Sequence, residues 1–105
     1  MDDNKRATRR GSSFTEISYE HEGLLFKARI SDLSQGGLFI DTLNPLPQGS
    51  TLTFRFILPG RGGEVSIVGE GVVAWQRLFQ GMGIRFTWLS DKDKEQIEYF
   101  LSRNQ

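Results

Sequence analysis

Apolar and polar positions alternate along most of this chain. In LLFKARISDLS (24–34), Leu24, Phe26, Ala28 and Ile30 fall on one face and Lys27 and Arg29 on the other, the pattern of a half-buried strand. TLTFRFILP (51–59) repeats it with Leu52, Phe54, Phe56 and Leu58 inward, and GMGIRFTW (81–88) with Met82, Ile84 and Phe86 inward. FTEISYE (14–20), GLFIDT (37–42) and EVSIVGEGVVAWQ (64–76) bring the count to six strands. Gly69 and Gly71 mark a bend or bulge in the long one. The breaks are turn chemistry: His21-Glu22-Gly23, Gly36-Gly37, Pro45 and Pro47, and Pro59-Gly60-Arg61-Gly62-Gly63. The periodicity then changes. Ser90 and Asp93 form an S-x-x-D helix start, and Ile97, Phe100 and Leu101 supply a helical apolar stripe over about 91–103. The fold expected is all-β: a small six-stranded antiparallel β-barrel, residues 14–105, with one short C-terminal helix. Residues 1–13 are a polar, flexible N-terminal arm.

Composition removes several functions. The 105 residues suffice for one domain. There is no cysteine and one histidine, which argues against disulfides, thiolate metal sites and multi-histidine centres. The missing cysteines, with no signal-peptide pattern at the start, suit a cytoplasmic protein. No apolar run approaches the roughly 18 residues of a membrane span, so direct membrane insertion is not expected. Thirteen Lys and Arg balance thirteen Asp and Glu, which argues against DNA or RNA as a partner of the whole surface. Nucleophile elbows, phosphate loops and zinc-protease motifs are absent, so no enzyme is expected. His21 reads as a solvated turn residue.

Two constellations carry chemistry. Arg6 and Arg10 form an R-x-x-x-R in an arm whose four cations face two carboxylates. Paired arginines fork onto phosphate or onto guanine acceptors; alone, the motif fits a solvated basic tail at least as well. Asp32, Ser34 and Gly37 form a D-x-S-x-x-G between two strands. Asp accepts from a guanine edge, Ser donates, and Gly allows φ > 0 and a close approach. An ordinary Asx turn with a glycine explains the same residues equally well. One strand pair separates the two motifs, so a hairpin returns the chain and lets the arm lie over the Asp-Ser turn.

Together the motifs resemble the PilZ domain, a bacterial receptor for cyclic di-GMP. DLSQGGLFIDT, LPQGS, VVAW and GMGIRF follow in the order of PilZ strands, over nearly the whole chain. The resemblance implies that Arg6 and Arg10 contact guanine and phosphate, that Asp32 and Ser34 hold a guanine edge, and that Gly37 shapes the turn. Lys5, Arg9, Gly36 and Trp75 are possible further contacts. Lys5, just before the first arginine, occupies the position that influences whether one nucleotide or a stacked pair binds. For Trp75 the choice is between base stacking and core or rim packing, the commoner role. Arg77 and Arg85 have no place assigned by the sequence. Phe39 is out of phase with Leu38 and Ile40 and reads as an exposed contact.

The function implied is a receptor or adaptor with cyclic di-GMP as ligand and no other cofactor. The nucleotide orders the arm, and a downstream protein partner reads the change, as in motility or biofilm regulation. The alternative is a nucleotide-independent PilZ-like adaptor.

Overall fold

The structure, a computed structural model, describes residues 15–103. It contains β1 (Thr15–His21), β2 (Leu24–Leu33), β3 (Gly37–Asp41), β4 (Thr51–Gly60), β5 (Gly63–Arg77), β6 (Gly81–Leu89) and α1 (Asp91–Arg103). The strands close into an antiparallel barrel in the order β1-β2-β3-β6-β5-β4. Six strands and one helix fall where the alternation and the S-x-x-D signal predict them. The arm, with Lys5, Arg6, Arg9 and Arg10, lies outside the described residues.

The inward positions build one dry core. Leu52, Phe54, Phe56 and Leu58 of β4 are all buried, as are Ile17, Ile30, Ile40, Ile67, Met82 and Ile84. Each such side chain contributes about 1.5–3 kcal/mol on burial. Among the described residues no polar or charged residue is buried. Tyr19 is buried in this core. Burial pushes its phenol above the ordinary value, and a hydrogen bond with Thr42 partly offsets that. Phe54 takes more room than alternation alone provides. Its ring packs on Phe56 and Phe86, and a Cβ on Gly69 would press on it at 2.8 Å.

Three interruptions of register turn strand faces over. Ile30 pairs with Ile40 but Asp32 with Phe39, leaving Ser31 extra in β2. Gly71 pairs with Phe86 but Glu70 with Trp88, leaving Thr87 extra in β6. Val73 pairs with Ile84 but Trp75 with Gly83, leaving Ala74 extra in β5. Each bulge moves the inward face by one residue. Leu33 and Leu89 are therefore buried while Asp32 and Trp88 face out. Leu24, expected inside, is 63% exposed, because β2 there runs past the barrel as the tip of the β1–β2 hairpin.

Helix α1 starts at the expected cap. Asp93 N–H donates to Ser90 Oγ at 3.0 Å, and Asp93 Oδ2 accepts from Val68 N–H at 3.2 Å, which fastens the helix to β5. Its apolar stripe buries Ile97 and Phe100. His21 is more than a solvated turn residue: its Nδ1 donates to the Thr51 carbonyl at 2.8 Å and ties the β1–β2 hairpin to β4. Among the described residues no helix is long and apolar enough to cross a membrane.

Candidate functional site

The β2–β3 turn is short and tightly bonded. Ser34 N–H donates to the Gly37 carbonyl at 2.8 Å, and Ser34 Oγ–H donates to the same oxygen at 3.2 Å. The Gly36 carbonyl accepts from Phe86 N–H at 2.9 Å, which fixes the turn against β6. Asp32 stands two residues before Ser34, aimed outward by the Ser31 bulge. Its carboxylate has no ion-pair or hydrogen-bond partner among the described residues.

The two glycines of the turn have separate jobs. A Cβ on Gly36 would meet nothing within 4 Å, so the backbone there is open to an approaching molecule. A Cβ on Gly37 would run into the carbonyl oxygen of Ile84 and lie 3.3 Å from Arg85 Cα. Gly37 is not at positive φ. A tight reversal at φ > 0, the conformation expected of this glycine, is therefore not what requires it. The physical reason is the close approach of β3 to β6, where Gly37 pairs with Arg85.

Trp75 completes the face. The Ala74 bulge turns it out of the barrel, where it is 44% exposed. Its indole lies on β6 at Gly83, a position where any Cβ would strike the ring, and packs on Phe39 with centroids 5.2 Å apart. Trp75 therefore takes a rim position, and Phe39, expected as an exposed contact, is half-buried because the indole packs on it. Arg77 stacks on the same indole, its Cζ 5.3 Å from the centroid.

These residues border one shallow depression of about 280 Å³. Asp32, Ser34, Gly36, Gly37 and Trp75 all line it, and Arg85 of β6 joins them. The sequence left Arg85 unplaced; the β3–β6 register, which no local signal encodes, brings it opposite Gly37. The depression offers a carboxylate unpaired among the described residues, a guanidinium, a hydroxyl, open backbone and an aromatic face. That set suits a planar, hydrogen-bonding, anionic molecule such as a purine nucleotide. No cluster of three or more potential metal-ligating side chains occurs among the described residues.

The geometry also bears on the undescribed arm. At its first residues β1 keeps its pairing with β2, Thr15 opposite Ile30, but has already left β4, where pairing stops at Ile17 opposite Phe56. Thr15 thus stands beside the end of β2 that carries Asp32. Arg10 is five residues from Thr15, a reach of at most about 17 Å.

The sequence profile of the PilZ domain matches residues 4–103. No curated protein matches the chain in sequence. Among solved structures, the fold is similar to the Bacillus subtilis inhibitor of motility (MotI/DgrA). The TM-score is 0.74 at 16% identity, over 88% of this chain and 47% of that one. It is similar to the Borreliella burgdorferi PlzA protein in complex with c-di-GMP, with TM-score 0.63 at 22% identity, over 95% of this chain and 37% of that one. It is also similar to the PilZ domain of CeSA from a cellulose-synthesizing bacterium, with TM-score 0.57 at 14% identity, over 87% and 93% of the two chains. The chain spans less than half the length of the MotI and PlzA chains. At these identities the likeness is one of fold.

Proposed function

This chain belongs to the PilZ domain family, a family of cyclic di-GMP receptors, and from that premise we propose that it binds cyclic di-GMP as a receptor without a catalytic step. One observation carries the reading: Asp32, Ser34, Gly36 and Trp75 converge with Arg85 on a single face, beside the end of β2 that adjoins the start of β1. In this reading Asp32 accepts from the N1–H and N2–H of one guanine, and Ser34 and the open backbone at Gly36 bond its other edge or the phosphate. Arg6 and Arg10 fork onto guanine and phosphate from the arm. Trp75 offers a stacking surface, and Lys5 and Arg9 add charge.

The signal follows from how the arm is held. Nucleotide binding fixes residues 1–13 against the barrel through charge-assisted bonds of about 1.5–3 kcal/mol each. A downstream protein then reads a surface that exists only with ligand. Calorimetry with cyclic di-GMP, with GTP and cyclic di-AMP as controls, tests the reading. Saturable heat with cyclic di-GMP alone is expected, together with slowed amide exchange in residues 1–10. Absence of heat would reject nucleotide binding and leave a nucleotide-independent adaptor.

A further inference from the structure

The barrel is not closed along its full height. Among the described residues β1 pairs with β4 only from Ile17 onward, while β4 runs on to Gly60 with β5 as its only strand partner there. The seam between the start of β1 and the free edge of β4 opens into a groove of about 1030 Å³, walled on its far side by the last turn of α1. Pro59 sits on that free edge. A proline there has no N–H to offer an incoming strand, which guards the edge against strand addition. An occupant of the groove is therefore held by side chains.

Among the described residues, the groove's charged side chains are three arginines and two glutamates. Arg61, from the β4–β5 turn, and Arg103, from the end of α1, lie over the same ring, Tyr99, with Cζ 4.8 Å and 5.6 Å from its centroid. Arg103 also donates to Tyr99 Oη at 3.2 Å. Neither guanidinium has a carboxylate partner among the described residues. Arg55, bonded to Ser66 Oγ, adds a third cation against Glu16 and Glu64, which are likewise unpaired among the described residues. Each guanidinium has further N–H groups with which to fork onto carboxylates. Ile57, 43% exposed, supplies an apolar contact beside them.

We infer that this groove docks an extended acidic segment of a partner protein, its carboxylates bridging Arg61 and Arg103 and an apolar side chain resting on Ile57. Among the described residues the groove shares none with the depression around Asp32 and Trp75, so the inference stands apart from the nucleotide reading. The chain's own arm, with four cations against two carboxylates, carries the wrong sign of charge to be the occupant.

The test is a titration of the ¹⁵N-labelled full chain with a capped seven-residue peptide alternating Glu and Val, its Gln counterpart, and inorganic phosphate. The Glu peptide is expected to shift the amides of Ile57, Arg61 and Tyr99, and the Gln peptide to bind at least tenfold more weakly. The double variant R61Q/R103Q, altered only at exposed positions, should lose at least tenfold toward the Glu peptide and keep its cyclic di-GMP heat unchanged. R61K/R103K, which retains charge without the fork, should fall between. The inference is overturned if neither peptide shifts these amides, if the two peptides bind alike, or if R61Q/R103Q binds as the parent does. Phosphate acting as strongly as the Glu peptide would reduce the site to an ion cradle and overturn it. So would a dimer of the chain that R61Q/R103Q dissolves, which would give the groove to a second copy.

Discussion

Two glycine-bearing turns lie at the same end of the barrel and use glycine for different physical reasons. In the β2–β3 turn, Gly37 is constrained by space: β6 backbone occupies the volume a side chain would need. In the β4–β5 turn, a Cβ on Gly63 would meet nothing within 4 Å, yet the residue sits at φ +128°, a conformation L side chains rarely adopt. The first turn is welded to its neighbouring strand and presents open backbone at Gly36 beside Asp32. The second is a hairpin tip beside α1 that projects Arg61 over Tyr99 and the groove. A glycine in a sequence thus announces that a side chain is unwelcome, and only the tertiary neighbours say whether the cause is crowding or torsion.

Substitutions at these turns should break the comparison in order. Gly37→Ala forces the β3–β6 pairing apart and should cost about 3 kcal/mol by chemical denaturation, the high end for overpacking between strands. Gly63→Ala should cost about 1 kcal/mol by the same measurement, through backbone strain alone. If the two cost the same, the distinction between crowding and torsion fails.

The nucleotide reading sharpens the same contrast. Arg10→Lys keeps charge and loses the fork, so calorimetry should show cyclic di-GMP affinity reduced by about 1.5–3 kcal/mol, roughly tenfold to more than a hundredfold. Arg9→Ala removes a whole charge and should cost less; equal losses would mean that the arm acts as a generic basic tail. Trp75→Ala should weaken binding by about 1–2 kcal/mol if the indole stacks on a base, and leave it unchanged if the indole only covers Gly83.

The smallest expected effects concern the open glycines. Gly36→Ala and Gly62→Ala each place a methyl in empty space and should alter stability by no more than about 0.5 kcal/mol. Only Gly36→Ala should lower cyclic di-GMP affinity. A third turn completes the set: Phe79, at the β5–β6 tip, holds φ +64° without being glycine. Phe79→Gly should therefore stabilise the fold by up to about 1 kcal/mol in the same denaturation assay.

Much of the barrel was legible because period two is a local property. Leu52 to Leu58 face the core simply because alternate residues point the same way, and Ser90 caps α1 because its hydroxyl reaches Asp93 N–H. What the alternation could not show is where it is interrupted. Ser31, Ala74 and Thr87 are ordinary residues, and nothing in them marks a bulge, yet Ala74 decides that Trp75 faces outward. Arg85 could not be assigned to the depression because its neighbour Gly37 is 48 positions away in the chain and meets it only through the β3–β6 register. Asp32, Ser34 and Gly37 were legible as a group because one turn contains them all.

The insertion of β6 between β3 and β5 has a consequence in time. Until β6 is in place, both of those strands are open edges, and β1 must also find β4 across the whole β2–β3 segment. Little of this closure can be completed by neighbours in the chain, so folding should run in milliseconds to seconds, as for other barrels rich in distant pairings. During that interval a growing chain on the ribosome exposes the apolar faces of five strands before the sixth exists. The stage before Gly81–Leu89 joins the sheet is therefore the one most exposed to aggregation.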